Sequence, residues 1–146
     1  MSPTPDAVIR QWFKEVWDEG QEDAIDRLCA VESRVYGLTD PAGPPLVGPE
    51  AFKPLFRTFR EALGDLTIVV ERTVVQGDMC AAHCRVSGRH VGTSFGGKPT
   101  NRPVAFQGMV FARIQNGQLV EGWNCFDFLT MYQQLGWISN PPAPQV

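Results

Sequence analysis

The sequence predicts an α+β fold in which N-terminal helices cover one face of a curved, largely antiparallel β-sheet with mixed pairing. Apolar residues recur every three or four positions as far as Leu63, which is the period of amphipathic helices. From Leu66 onward the sequence changes to β-branched runs separated by short turn signals. Helices that precede a set of antiparallel strands typically pack together on one face of the sheet.

Three helices are expected before the sheet. Between residues 6 and 28 the apolar spacing predicts two consecutive helices with a break near Gly20. Residues 39–50 are rich in proline and glycine and are expected to form a loop. The helical spacing returns over residues 52–63, and Gly64 is expected to end the third helix.

Four strands and a last helix are expected after residue 65. The predicted strands are LTIVVERTVVQ, MCAAHCRVSGRHVG, RPVAFQGMVFARI and QLVEGWNCF, joined mostly as hairpins, with an extra short strand at residues 34–37. FLTMYQQLGW has helical spacing, and Gly136 is expected to end that helix. We expect residues 1–138 to form one domain and residues 139–146 to be a flexible tail.

Composition and charge exclude several classes of partner. The 146 residues carry a formal net charge of -3, which gives no basic field for nucleic acid. No apolar run approaches the roughly 18 residues of a membrane span, and the N-terminus lacks the pattern of a secretion signal. We therefore expect no nucleic-acid or membrane partner and a cytoplasmic location.

The four cysteines are expected to be free. Cys29, Cys80, Cys84 and Cys125 lie in apolar neighbourhoods, and the expected compartment is reducing. Cys80 and Cys84 share one face of a predicted strand, so zinc binding with the nearby His83 is an alternative. Buried free thiols are the preferred interpretation, and we predict no metal site.

Several motifs carry a resemblance to a known family. They are GRHVG at residues 88–92, KPTNRPV at 98–104, RIQNGQLVEGW at 113–123 and QQLG at 133–136. With the order of elements, they make the chain similar to the SnoaL-like polyketide cyclases from about Val8 to Gly136. The resemblance implies the cone-shaped fold of nuclear transport factor two and ketosteroid isomerase, with a curled sheet around a deep apolar pocket. It also implies no metal, no organic cofactor, and assembly into homodimers or higher homo-oligomers.

The resemblance also implies positions for the site. In the aldol-cyclising members an aspartate on the last strand is the general acid and base, and this sequence has Asn124 there. The family's pocket histidine falls near Val110, and its helix aromatic falls at Trp17. We expect Trp17, Val110 and Gly122 to bind the ligand, together with the two residues Tyr36 and Phe56, since an aromatic interior suits flat apolar ligands.

The stretch WNCFD offers two candidates for chemistry, Asn124 and Asp127. An amide does not titrate near neutral pH, so Asn124 either orients a ligand carbonyl or enolate or is a buried amide satisfied by its neighbours. Strand alternation places Asn124 inward with Gly122 and Val120 and places Trp123 outward. Asp127 is either a replacement base or, in the preferred interpretation, the N-cap of the last helix.

His90 is the third catalytic candidate. It ends a predicted strand just before a glycine-rich turn, so its imidazole is expected at the mouth of the pocket. A structural role fits the same position.

Two functions follow from these expectations. One is a cofactor-independent enzyme that acts on a small apolar carbonyl or polyketide-like compound by proton transfer, isomerisation or cyclisation. The alternative is a non-catalytic module of the same fold that binds a hydrophobic ligand or serves dimerisation. The sequence lacks a nucleophile elbow, a phosphate loop and a dinucleotide fingerprint, which argues against hydrolase and nucleotide chemistry. Self-association is expected through the outer face of the sheet.

Overall fold

The computed structural model describes residues 2–40 and 42–139, so most of the expected tail lies outside the described residues. Among them, no helix is both long and apolar enough to cross a membrane. In chain order the elements are α1 (Pro5–Trp12), a π-helical segment (Phe13–Asp18), α2 (Glu22–Leu28), β1 (Cys29–Tyr36), β2 (Leu46–Val47), α3 (Gly48–Ala62), β3 (Leu63–Gln76), β4 (Met79–His90), β5 (Pro103–Gln115), β6 (Gln118–Phe126) and α4 (Phe128–Gln134).

The strands form one curved, unclosed six-stranded sheet in the order β2-β1-β6-β5-β4-β3. All neighbouring pairs are antiparallel except β1 and β6, which run parallel. The predicted α+β class, with its mixed sheet, is therefore confirmed. The parallel pair matters for the site because it brings the end of β1 beside the end of β6.

One face of the sheet is buried under the helices. Along β5, buried and exposed residues alternate with the period of two that a half-covered strand requires. The buried side chains of this strand are Val104, Phe106, Val110, Ala112 and Ile114. The outward side of β5 includes Met109 and Phe111, which stay exposed.

Two helix boundaries differ from the prediction. The loop over residues 39–50 was predicted too long, because β2 pairs with β1 and α3 already begins at Gly48. Gly48 has φ +79, and a side chain there would collide with the carbonyl oxygen of Val31. At its other end α3 passes directly into β3 at Leu63, so the prediction that Gly64 ends this helix was wrong.

The predicted strands and the last helix are confirmed, with one extension. The short strand expected at residues 34–37 is an eight-residue strand, β1, that starts at Cys29 directly after α2. Its first half was missed because Val31 and Glu32 are exposed and a register shift interrupts its pairing with β6. Gly136 has φ +79 just beyond α4, as expected for a helix-ending glycine.

The cysteines differ in their exposure. Cys29, Cys80 and Cys84 are buried, whereas Cys125 is exposed because strand alternation turns it to the outer face. The prediction that the cysteines are buried was therefore wrong for Cys125. Burial raises the pKa of the Cys84 thiol to about 12 and also raises the pKa values of Cys29 and Cys80.

These environments predict the reactivity of the thiols toward a disulfide reagent. In the native protein, Cys125 should react quickly and the other three slowly, because a buried thiol forms little thiolate. After denaturation all four cysteines should react. Fewer than four thiols in freshly denatured, unoxidised protein would contradict the prediction, and Cys125→Ser should remove the fast phase.

Candidate functional site

An apolar pocket lies between the helices and the inner face of the sheet. Its lining residues are Ile9, Trp12, Phe13, Trp17, Val35, Leu38, Phe52, Leu55, Phe59, Leu63, Leu66, Ile68, Val86, Phe106, Val110, Leu119, Gly122, Asn124, Phe126 and Phe128. Among these residues, Asn124 has the one side chain that is neither aliphatic nor aromatic, and none of them carries an ionisable group. The pocket is therefore built to hold an apolar ligand, with one amide, Asn124, and the indole N–H groups of Trp12 and Trp17 as its polar groups.

Aromatic rings narrow the solvent side of the pocket. The lining residues that keep part of their surface exposed are Leu38, Leu55, Phe59, Phe126 and Phe128, besides Asn124. The ring centroids of Phe128 and Phe59 are 5.7 Å apart, and those of Phe128 and Phe126 are 6.1 Å apart. The remaining free volume is about 60 Å³, less than half of the roughly 150 Å³ in which an apolar protein cavity holds benzene.

Asn124 is tied to the end of β1. Its Nδ2 donates a hydrogen bond of 3.0 Å to the carbonyl oxygen of Tyr36. Since a carbonyl oxygen only accepts, the atom that faces it has to be the amide nitrogen, which fixes the orientation of the side chain. Asn124 also lies opposite Val110 in the β5–β6 pairing, so the two residues reach the pocket together.

A bulge changes which residues of β6 face inward. Gly122 and Asn124 line the pocket and Trp123 lies on the outer face, as predicted. Val120 does not follow this alternation. The pairing jumps from Arg113 with Glu121 to Ile114 with Leu119, which leaves Val120 as the extra residue. Leu119 therefore takes the inward position that strand alternation predicted for Val120.

Two of the predicted ligand-binding residues lie elsewhere. Tyr36 follows the inward Val35 on β1, so its ring turns to the other face. There it stacks on the ring of Trp123, with 5.9 Å between the ring centroids. Phe56 is buried but is not among the pocket-lining residues. It packs against Trp17, with 5.6 Å between the ring centroids. On α3 the lining residues are instead Phe52, Leu55 and Phe59.

Trp17, Val110 and Gly122 do line the pocket. Their ligand-binding role stays a prediction. The α3 residues that line the pocket were missed as ligand-binding candidates. Their spacing of three and four positions in the predicted helix is the sequence signal that would have found them.

His90 is not among the residues that line the pocket. It is 0% exposed and stacks on Phe95 at 5.9 Å. Its Nδ1 accepts a hydrogen bond of 3.0 Å from the backbone N–H of Thr100 and lies 3.0 Å from the Thr100 hydroxyl. The expected position failed because the backbone of Asn101 and Arg102 folds back onto His90 and covers it. The contacts of His90 are those of a residue that holds the segment after β4.

Asp127 caps α4. One carboxylate oxygen accepts a hydrogen bond of 3.0 Å from the backbone N–H of Thr130, and the other accepts one of 2.6 Å from the Thr130 hydroxyl. These hydrogen bonds lower the pKa of the Asp127 carboxyl. Asp127 is exposed and is not among the pocket-lining residues, so its geometry agrees with the N-cap interpretation.

Asp18 is the carboxylate that the sequence reasoning missed. It ends the π-helical segment, and its Oδ1 accepts a 2.6 Å hydrogen bond from the backbone N–H of Ile68 on the edge strand β3. Partial burial raises the pKa of this carboxyl, although much of the residue remains exposed. Asp18 is not among the pocket-lining residues, so this carboxylate serves the sheet edge.

The alternative zinc site does not assemble. Cys80 and Cys84 point into the core, while His83 points outward and pairs with Gln107 at 2.7 Å. Strand alternation separates the side chains in this way. Within residues 2–40 and 42–139, no group of three or more His, Cys, Asp or Glu side chains is placed to hold a metal ion.

A curled sheet around an apolar pocket is the architecture that the family resemblance implies, and comparison with known sequences places the chain. The sequence model described as SnoaL-like polyketide cyclase matches residues 7–135. The chain therefore belongs to the SnoaL-like polyketide cyclase family. It is 28% identical over 154 aligned positions to aklanonic acid methyl ester cyclase DauD of Streptomyces sp. (strain C5), covering 99% of this chain and 94% of that protein.

Solved structures agree with this fold. IdmH of Streptomyces antibioticus is 27% identical, with a TM-score of 0.78 and coverage of 92% of this chain and 99% of that one. A SnoaL-like protein from Jannaschia sp. CCS1 has a TM-score of 0.80 at 20% identity, with coverage of 97% and 98%. The second likeness supports the fold alone.

The capping geometry predicts a stability effect for Asp127. Asp127→Ala should lower the free energy of unfolding by about 1 kcal/mol in urea denaturation near neutral pH. Because the pKa of the folded-state carboxyl is lowered, this stability is present above the unfolded-state pKa and is lost as the pH falls through the folded-state value. The difference between wild type and Asp127→Ala should therefore shrink in acid.

Asp127→Asn is the matched control, because asparagine is an equally good N-cap and should retain most of the stability at neutral pH. A variant Asp127→Ala with unchanged stability would show that the cap contributes nothing. If that variant also lost a measured activity, the N-cap interpretation would have to be abandoned.

Proposed function

We propose that this protein is a cofactor-independent enzyme of the cyclase type. It would take a small apolar carbonyl or polyketide-like compound and promote ring closure, isomerisation or a related proton transfer. Family membership and the 28% identical ester cyclase support the reaction class. The observation that carries the proposal is the apolar pocket with a single amide, Asn124, at the position implied for the family's acid–base aspartate.

The pocket supplies confinement more than acid–base chemistry. A flexible chain folded inside apolar walls loses the entropy that opposes ring closure, and this effect lowers the barrier of an intramolecular reaction. Asn124 holds one polar group of the substrate but does not take up a proton. The proton of the reacting carbon therefore has to pass to another substrate oxygen or to water.

Substrate entry requires the pocket to open. The present free volume of about 60 Å³ holds no aromatic ring. Phe59, Phe126 and Phe128 are the half-buried rings at the solvent side, and outward rotation of these rings would enlarge the pocket. Closure of the same rings over a bound substrate would exclude water from the reaction.

A non-catalytic binding module is the second candidate. One specific observation favours it, namely that none of the lining residues is ionisable. The two candidates make the same prediction for binding and opposite predictions for turnover.

Aklanonic acid methyl ester, the compound in the name of the related cyclase, is a suitable first test substrate. Wild-type protein should convert it to a cyclised product if the chain is an enzyme. Asn124→Asp should increase the rate, because a carboxyl group in this apolar site, beside the Tyr36 carbonyl, has a raised pKa and exchanges protons near neutral pH. Product formation is measured by chromatography under single-turnover conditions.

Gly122→Ala and Asn124→Ala are the matched variants. A methyl group at Gly122 would contact Leu119 at 3.6 Å and the Asn124 Nδ2 at 3.9 Å, so it fits without a clash and fills space in the pocket. This variant should weaken ligand binding without loss of stability, and Asn124→Ala should weaken binding by about 1 kcal/mol. Turnover by Asn124→Asp alone would support the binding module, and absence of both binding and turnover would contradict both candidates.

Self-association through the outer sheet face is a further part of the proposal. Val74 on β3 and Met109 and Phe111 on β5 are 70%, 56% and 51% exposed, and the three side chains line one groove on the outer face. Two of the nearby cations are internally paired, Arg113 with Asp78 and Glu121 and Arg85 with Glu71. This pairing reduces the repulsion between two copies that approach with these faces.

Light scattering should find at least a dimer, and Phe111→Glu should shift the protein toward the monomer. The substituted side chain points away from the pocket, so ligand binding should be unchanged. A wild-type protein that is monomeric at every concentration would rule out self-association.

A further inference from the structure

The amide of Asn124 has one end that is already bound. Its Nδ2 donates to the Tyr36 carbonyl oxygen at 3.0 Å, and the same nitrogen lies 3.9 Å from the place where a side chain on Gly122 would begin. The donor end of the amide is thus held against the backbone of β1 and the glycine of β6. The acceptor end, Oδ1, takes no part in the hydrogen bond to Tyr36.

Asn124 Oδ1 has no partner among residues 2–40 and 42–139. No hydrogen bond from those residues reaches it. In the same part of the chain, His90 Nε2 is the one side-chain polar atom that is both fully buried and unpaired. Asn124 Oδ1 is unpaired, so it is not fully buried and keeps contact with open space. Among the other lining side chains the hydrogen-bond donors are the indole N–H groups of Trp12 and Trp17, and neither donates to Oδ1. A donor for Oδ1 has to come from solvent or from a ligand.

We infer that the pocket selects ligands that carry a hydroxyl group, as a phenol or the enol form of a β-dicarbonyl chain, which donates to Asn124 Oδ1. This inference rests on the proposed function, since it names the substrate class of the same pocket. A ligand that offers a carbonyl alone would displace water from Oδ1 and leave this acceptor unpaired. An unpaired polar group in an apolar site is costly, and such sites discriminate strongly for that reason.

The same contact bears on the reaction. In a β-dicarbonyl chain, the enol is the tautomer whose carbon forms the new bond, and its hydroxyl is a strong donor. A pocket that holds the enol hydroxyl therefore favours the reactive tautomer without a charged side chain. This role suits an amide, which binds the hydroxyl proton but does not remove it.

Three small rings test the inference without any reaction: phenol, toluene and benzaldehyde. Each affinity is measured by calorimetry for wild type, for Asn124→Leu and for Cys125→Ser. Ratios of affinities are compared between proteins, because the ratio cancels the different costs of removing each probe from water. The preference for phenol over toluene should fall roughly fivefold or more in Asn124→Leu, as expected for loss of one hydrogen bond. Cys125→Ser, whose side chain lies on the outer face, should keep the wild-type preference.

A second readout uses the wild-type protein and so remains valid if Asn124→Leu fails to fold. The ¹³C resonance of the Asn124 side-chain carbonyl should shift with phenol and remain in place with benzaldehyde. Equal phenol preference in wild type and Asn124→Leu, the same resonance shift with all three rings, or no binding of any ring would overturn the inference. Phenol selectivity without turnover of any substrate would overturn only the catalytic part of the proposed function.

Discussion

The hydrogen bond from Asn124 Nδ2 to the Tyr36 carbonyl oxygen is the constraint on which the site depends. It joins the ends of two strands, β1 and β6, that run side by side in parallel. The two strands approach so closely that residue 37 has to be glycine, with φ +88. A side chain there would collide with the main-chain carbonyl oxygen of Asn124. The backbone around the amide thus fixes which of its two ends is already paired.

The apolar lining of the pocket makes the Asn124 amide more important for ligand binding. Every other lining side chain is aliphatic or aromatic, and the indole N–H groups of Trp12 and Trp17 are donors only, so Asn124 Oδ1 is the one side-chain acceptor of the lining. In such surroundings an ionised carboxylate would be costly, whereas a neutral amide is tolerated. Under the proposed function, an amide in this pocket contributes binding and confinement, with proton transfer left to the substrate and water.

The sequence predicted those features that depend on local rules. Strand alternation placed Gly122 and Asn124 inward, and capping chemistry assigned Asp127 to the start of α4. The α+β class followed from the change of period after Leu63. These predictions held because each depends on a few neighbouring residues.

The remaining features depend on contacts between distant segments, which a single sequence does not display. The position of Val120 depends on a bulge in the pairing of β6 with β5. On the outer face, the stacking partner of Tyr36 is Trp123, which lies far away in the chain. His90 is buried by residues that return from beyond the glycine-rich turn. The orientation of the Asn124 amide likewise required the carbonyl of a residue 88 positions earlier.

The pH dependence of the single-turnover rate tests the central claim most directly, namely that the pocket works without an ionisable group of its own. For a substrate that does not titrate between about pH 5 and 8, the wild-type rate should be flat in that range, while Asn124→Asp should introduce one titration step. A wild-type profile with a titration step of its own, retained in Asn124→Ala, would contradict the claim, because it would reveal a catalytic acid or base elsewhere in the protein.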